Sequence, residues 1–413
     1  MSRFPLQFQT VPYPLWRRRM PGWLRRASLP LLERWTAASA DLHPPQTPEA
    51  TTAYLLRWRL IDPTEQDSAL RALADTRGIE AAAPFNEPPL ADPGTIRLPS
   101  QWEPIETVLL SWPAFYPALW PLHTAMTAAI APVAPVTILV PSALWGASVR
   151  WFLQRSGTVD LDRVRFMALP TDDIWVRDYG PVIGRDAQGQ RVCLKFIYAP
   201  LPSYPQDHDD TMALRWAAQV GIPTRRLDLH LEGGNIWSDG QGTVIVSEHA
   251  FHANPGLTVE RLRVTLGADK LIVTPRLERE ETGHVDLLVK LADARTVLLS
   301  RATGWLNGDN LRRARRVFET QTNAAGELYR IFDLPTPPLY LNWLCYPVWR
   351  SYTNALTVNG RVLVPVYGLR EDAEALAVYR AAMPDYMVIP MDCSASVNDG
   401  GAVHCLTKEI PRA

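Results

Sequence analysis

The sequence predicts a mixed α/β fold, and three observations carry that prediction. Short apolar runs recur along most of the chain and alternate with stretches of helical periodicity. Strand and helix patterns are interleaved rather than gathered into separate blocks. Across 413 residues, 47% are hydrophobic and 21% charged, enough to build a core without disulfide staples. Periodicity alone leaves two architectures open, a doubly wound sheet and a ring of small α/β units.

Residues 1–36 stand apart. They hold seven arginines (Arg3, Arg17, Arg18, Arg19, Arg25, Arg26 and Arg34) against one acid, Glu33, with Trp16, Trp23 and Trp35 interleaved. Pro12, Pro14, Pro21 and Pro30 forbid one continuous helix. Such an arm either makes weak contact with a membrane surface or an acidic partner, or packs its aromatics on the main domain. The prolines break an amphipathic stripe and favour packing. Residues 37–48 read as a polar linker. Residues 49–82 read as mostly helical, with Leu55, Leu56, Leu60, Leu70 and Leu73 as apolar positions. Asp62-Pro63 interrupts them, and Thr64 with Asp67 suits a new helix start. The breaker-rich segment 83–95 then sets the expected boundary: 1–95 as an N-terminal extension, 96–413 as the main domain.

Within 96–413, strands are predicted at 106–111, 135–140, 191–197, 243–247, 270–274, 284–290, 296–300, 355–358 and 361–366. Helices are predicted at 122–131, 210–220, 256–266, 309–323 and 371–382. No identical repeat recurs at a fixed period.

Composition narrows the function classes. The formal charge of −1 argues against a nucleic-acid binder, which needs a basic surplus. Four cysteines cannot form a dense disulfide framework, which points to a reducing, cytoplasmic compartment. No apolar run approaches the ~18 residues of a spanning helix, and no secretory signal is visible at the N-terminus. The surplus of arginine over lysine, 38 against four, reads as codon composition.

Four motifs carry reactive groups. In G-H-V-D (283–286), a strand would project His284 and Asp286 side by side, as a catalytic pair or as a buried histidine satisfied by a local acid. In W-V-R-D (175–178), Trp175 and Asp178 offer a stacking face and an acceptor for a planar cation, or else the segment is a solvated loop with an Asp–Arg pair. In E-G-G-N (232–235), two glycines free the backbone beside Glu232, which is a cleft acceptor or an ordinary strand-end acid. In D-G-G-A-V-H-C (399–405), Cys405 follows a glycine turn and His404. Cys193, Cys345 and Cys393 read as small buried hydrophobes. No C-x-x-C or H-x-x-x-H spacing supports a metal site.

Together and in this order, these motifs resemble the agmatine deiminase and bacterial peptidyl-arginine deiminase family. R-L-P-S-Q-W-E-P (97–104), L-S-W-P (110–113), S-Y-T-N-A (351–355) and V-L-V-P-V-Y-G (362–368) extend the resemblance over roughly 96–413. It implies a five-bladed α/β propeller, the pentein fold, and a hydrolase acting on amidines. It implies Cys405 as nucleophile, His284 as general acid and base, and Asp178 and Asp286 as a guanidinium clamp. Trp175 and Glu232 match substrate-lining positions. Neither metal nor organic cofactor is implied. The expected substrate is a small guanidino compound, agmatine-like, giving N-carbamoylputrescine and ammonia. Peptidyl-arginine deimination, amidino transfer and a non-catalytic ligand-binding pentein are the alternatives. Two departures bear on substrate: 112–121 reads W-P-A-F-Y-P-A-L-W-P, with Ala118 and Leu119 where polar residues are usual, and Trp237 replaces a more usual histidine.

Overall fold

The computed structural model describes residues 44–413, apart from 83, 92–93, 115, 199–205, 281, 304–306 and 343–345. The basic arm at 1–36, most of the 37–48 linker and Cys345 lie outside the described residues.

Five sheets share one pattern: an antiparallel pair, then a third strand laid parallel to the second after a helical crossover. Val182–Arg185 pairs antiparallel with Arg191–Ile197, and helix Asp207–Val220 leads to the parallel strand Thr224–His230. Trp237–Ser238 pairs with Thr243–Ser247, and helices His249–Ala253 and Val259–Thr265 lead to Lys270–Thr274. Val289–Asp293 pairs with Thr296–Ser300, and helix Gly308–Thr320 leads to Arg330–Leu334. Leu356–Val358 pairs with Arg361–Val366, and helix Glu371–Ala382 leads to Met387–Asp392. In the remaining sheet the strand Lys408–Pro411 comes from the other end of the chain. It lies antiparallel to Ile105–Ser111, which runs parallel to Val136–Val140 after helix Trp120–Ile130. Each parallel crossover needs a dozen or more residues, which is why a helix occupies every one.

That first sheet is extended by two more parallel strands, Val164–Ala168 and Ile79–Glu80. Helices Pro48–Arg57 and Gln66–Leu73 pack against helix Ala143–Ser156, with Leu55 and Leu73 fully buried. Val136–Val140 is buried at every position, as expected of a parallel strand covered on both faces. No helix among the described residues is long and apolar enough to cross a membrane.

The structure changes three sequence expectations. The segment 284–290 is not one strand: His284 caps a 3-10 turn, Val285–Leu287, and the strand begins at Val289. The helix start after Asp62-Pro63 is capped by Asp62 in a capping box with Glu65, not by Thr64. Helix Ala143–Ser156 was not predicted; Gly146 and Ser148 obscure its apolar stripe, while Ser142 caps it by accepting from the Trp145 N–H.

One regularity positions the site. The residue motifs fall just ahead of the first strand of successive sheets: Asp178 before Val182, Glu232 before Trp237, His284 and Asp286 before Val289, Asn354 before Leu356, Cys405 before Lys408.

Candidate active site

Asp178 sits in a single helical turn, Val176–Tyr179, and its side chain is only 8% exposed. Its Oδ1 accepts from the Gly234 N–H at 3.1 Å and lies 3.6 Å from Nδ1 of His284. The opposite ring nitrogen of His284, Nε2, meets Oε2 of Glu232 at 2.5 Å. His284 is therefore held between two carboxylates. Burial opposes its charge, but Asp178 and Glu232 outweigh burial and raise it to about 10, so the ring is an imidazolium at neutral pH.

Glycine permits this approach. A Cβ on Gly234 would stand 2.5 Å from Nδ1 of His284 and 2.7 Å from Oδ1 of Asp178. A Cβ on Gly401 would stand 2.5 Å from the Trp175 ring and 2.7 Å from Cβ of Cys405. The two glycines let the E-G-G-N and D-G-G segments close on the reactive groups.

Asp286 is fully buried, and burial raises its carboxyl to about 7 against the pull of His284. Burial likewise raises Asp178 to about 6. Oδ2 of Asp286 lies 2.7 Å from Nδ1 of His404, and Oδ1 is buried with no partner among the described residues. The side-by-side pairing of His284 with Asp286 expected from a strand does not form. Because 285–287 is a turn, each side chain takes a separate partner.

Cys405 is 6% exposed. Burial, then the negative fields of Asp286 and Asp178, push its thiol well above the usual range. Asn354 fixes it: Nδ2 donates to Sγ at 3.2 Å, and Oδ1 accepts from the backbone N–H groups of His404 (3.1 Å) and Cys405 (3.3 Å). Sequence reasoning quoted Asn354 within S-Y-T-N-A but gave it no role. Its place before the first strand of its sheet, as for the other site residues, was the available signal.

Arg177 was also passed over, as half of an exposed Asp–Arg pair. It is 2% exposed and pairs with both oxygens of Glu409, while its Nε–H donates to the His404 carbonyl. Its backbone N–H donates to the Cys405 carbonyl at 3.2 Å. Arg177 thus ties the Trp175–Asp178 turn to the cysteine turn. Trp237 lies beneath the site, its ring stacked on His404 at 4.8 Å. In the 112–121 segment, Leu119 and Trp120 are core residues, Ala118 is exposed, and the Tyr116 hydroxyl donates to Asp173 at 3.0 Å. Asp178, Glu232 and His284 offer ligand atoms within 4.8 Å of one another, a spacing that would also suit a metal ion.

Acids, an imidazolium and a thiol converging in this fold define a pentein of the guanidino-modifying class. The structure resembles agmatine deiminase of Enterococcus faecalis with a TM-score of 0.70 at 22% identity, over 78% of this chain and 99% of that one. It also resembles the C. jejuni agmatine deiminase solved with substrate bound, with a TM-score of 0.67 at 18% identity, over 78% of this chain and 98% of that one. These likenesses establish the fold. The chain belongs to the Porphyromonas-type peptidyl-arginine deiminase family, whose profile matches residues 97–411. Agmatine deiminase of Ectopseudomonas mendocina is 29% identical over 362 residues, covering 76% of this chain and 95% of that protein. Members of the family are hydrolases of amidine C–N bonds, and this chain is one of them.

Proposed function

We propose that the protein deiminates agmatine or a close guanidino analogue through a covalent Cys405 intermediate. The observation that carries this reading is the convergence of Asp178, His284, Asp286 and Cys405 from three separate sheets. A guanidinium is planar and cationic, and Asp178 and Asp286 each offer an oxygen to a forked N–H pair. Trp175 and Glu232 line the same space, Trp175 as an apolar wall and Glu232 as the partner that keeps His284 charged.

Burial and the field of these acids together hold Cys405 as a thiol, and placing a cation among the acids cancels the field. The thiol proton then leaves to solvent, and the thiolate attacks the guanidino carbon. The C–N bond to the leaving nitrogen breaks as His284 gives it a proton, releasing ammonia and leaving an S-alkylthiouronium. His284, now neutral, takes a proton from water. The hydroxide adds to the same carbon, the C–S bond breaks as the hydroxyl proton passes to the departing sulfur, and the ureido product leaves with Cys405 restored as a thiol. Agmatine is favoured over peptidyl arginine because the E. mendocina relative, matched nearly end to end, carries that name.

The test is ammonia release from the purified protein with agmatine, free arginine, a blocked arginyl peptide and simple guanidines, alongside Cys405→Ala. The expected result is turnover of agmatine that vanishes in the variant. Wild-type rates in Cys405→Ala would sink the mechanism. Turnover of the peptide alone would reassign the substrate, and amidinated acceptor in place of ammonia would indicate transfer.

A further inference from the structure

Asp286 is the most buried member of the site, and what holds it is a chain of side chains outside the motifs' reactive atoms. His404 faces Asp286 through Nδ1, and through Nε2 it faces Nε2 of Gln101 at 2.7 Å. A ring nitrogen facing an amide nitrogen has two readings until the amide's orientation is known. Here the partners on both sides settle the orientation. Oε1 of Gln101 faces Nζ of Lys290 at 2.7 Å and accepts from the backbone N–H of Thr357 at 3.4 Å, and a backbone N–H can only donate. Nε2 of Gln101 also donates to Oε1 of Glu409 at 3.2 Å. Glu409 only accepts: burial works against its charge, but Arg177 outweighs burial and holds the carboxyl at about 2. A flipped amide would set donor against donor at the Thr357 N–H and acceptor against acceptor at Glu409.

Gln101 therefore donates to His404, so Nε2 of His404 carries no proton and Nδ1 does. Burial and the nearby cations Arg177, Lys290 and Lys408 keep the ring neutral. Trp237 fixes the ring plane, stacked at 21° to the imidazole.

We propose that His404 is a positioning residue for the guanidinium clamp: held as its neutral Nδ1–H tautomer by Gln101, it anchors Oδ2 of Asp286 and leaves Oδ1 to the substrate. A neutral donor suits this role. An imidazolium would form an ion pair with Asp286 and compete with the substrate cation for it. The unpartnered Oδ1 of Asp286 is the atom left over for a guanidinium N–H. The relay joins two sheets through the turn at Gln101 and couples Lys290 to the substrate anchor through two side chains. It deepens the deiminase reading and rests on it.

Two measurements test the proposal on the full chain. Two-bond proton–nitrogen correlations on protein carrying 15N-histidine report ring tautomers directly, and loss of one set of signals in His404→Asn assigns His404 among the eight histidines. The expected result near neutral pH is a neutral Nδ1–H ring. An Nε2–H ring or an imidazolium overturns the proposal. This readout needs no turnover, so it stands or falls separately from the deiminase reading. Steady-state kinetics with agmatine then compare three variants. The Asn amide nitrogen falls near the place of Nδ1, and the Gln amide nitrogen near the place of Nε2. His404→Leu and His404→Gln should raise KM about 10- to 100-fold, the range for a lost hydrogen bond to a charged group. His404→Asn should recover most of that loss. Equal behaviour of the Asn and Gln variants, or an unchanged KM in all three, overturns the proposal.

Discussion

At the scale of single residues, the site stores its charge in an unusual arrangement. His284 is charged at rest, while Asp178 and Asp286 are raised to about 6 and about 7, mainly by burial. A cationic ligand binds their ionised forms. Guanidinium affinity should therefore rise as pH increases through 6 to 7, and level off above that window. Calorimetric titration of Cys405→Ala, which removes the thiol from the titration, checks this; affinity that is flat from pH 5 to 8 would contradict it. The imidazolium also bears on metal binding. A metal at Asp178, Glu232 and His284 must first displace the proton that those acids hold on the ring. Dialysis against a chelator should leave turnover unchanged, and loss of activity restored by one added metal would reverse that reading. Much of this scale was legible in the sequence, since Asp178, Glu232, His284, Asp286 and Cys405 stand in short motifs. Arg177, Gln101 and Lys290 were not legible. Their roles come from partners more than a hundred residues away, such as Glu409 for Arg177 and Gln101 for Lys290.

At the scale of elements, the approach of three short turns governs the geometry. Gly234 lies where the turn after Glu232 touches both His284 and Asp178. Gly234→Ala should wedge that pair apart and lower kcat/KM about 100-fold, the order expected for a misplacement near 1 Å. The loss of activity should outrun any fall in melting temperature, although Gly234 is itself buried. Parallel loss of melting temperature and activity would assign the glycine a folding role instead. Buried apolar runs such as 136–140 and 361–366 were legible as strands. The 284–287 turn was not, because an apolar run that follows a histidine reads as strand until the backbone shows otherwise. Strands such as Thr224–His230, with three charged residues in seven, escaped for the opposite reason.

At the scale of the whole molecule, the unit built on 96–413 carries neighbours from the extension. Leu55 and Leu73 are buried beneath helix Ala143–Ser156, and Ile79–Glu80 adds an edge strand. Leu55→Ala should cost about 2–5 kcal/mol in denaturant unfolding, as for other buried leucines. Removing residues 1–95 should lower the melting temperature sharply below that of a chain lacking residues 1–40. Equal melting of the two truncations would show that the 48–80 segment is dispensable. The sequence marked the break within this segment through Asp62-Pro63 and its end through the 83–95 breakers, but contact with a strand 85 residues away leaves no local trace.

The pairing of Lys408–Pro411 with Ile105–Ser111 also imposes an order in time. The thiol stands three residues ahead of a strand whose partner is made some three hundred residues earlier. Such distant pairings pay the entropy of closing a long loop before any contact rewards them, so they form slowly. A chain emerging from the ribosome therefore displays His284 and its acids well before it can present Cys405 to them. Cys405, the nucleophile of the proposed mechanism, is delivered last, and that chemistry would begin only once the sheet is sewn shut.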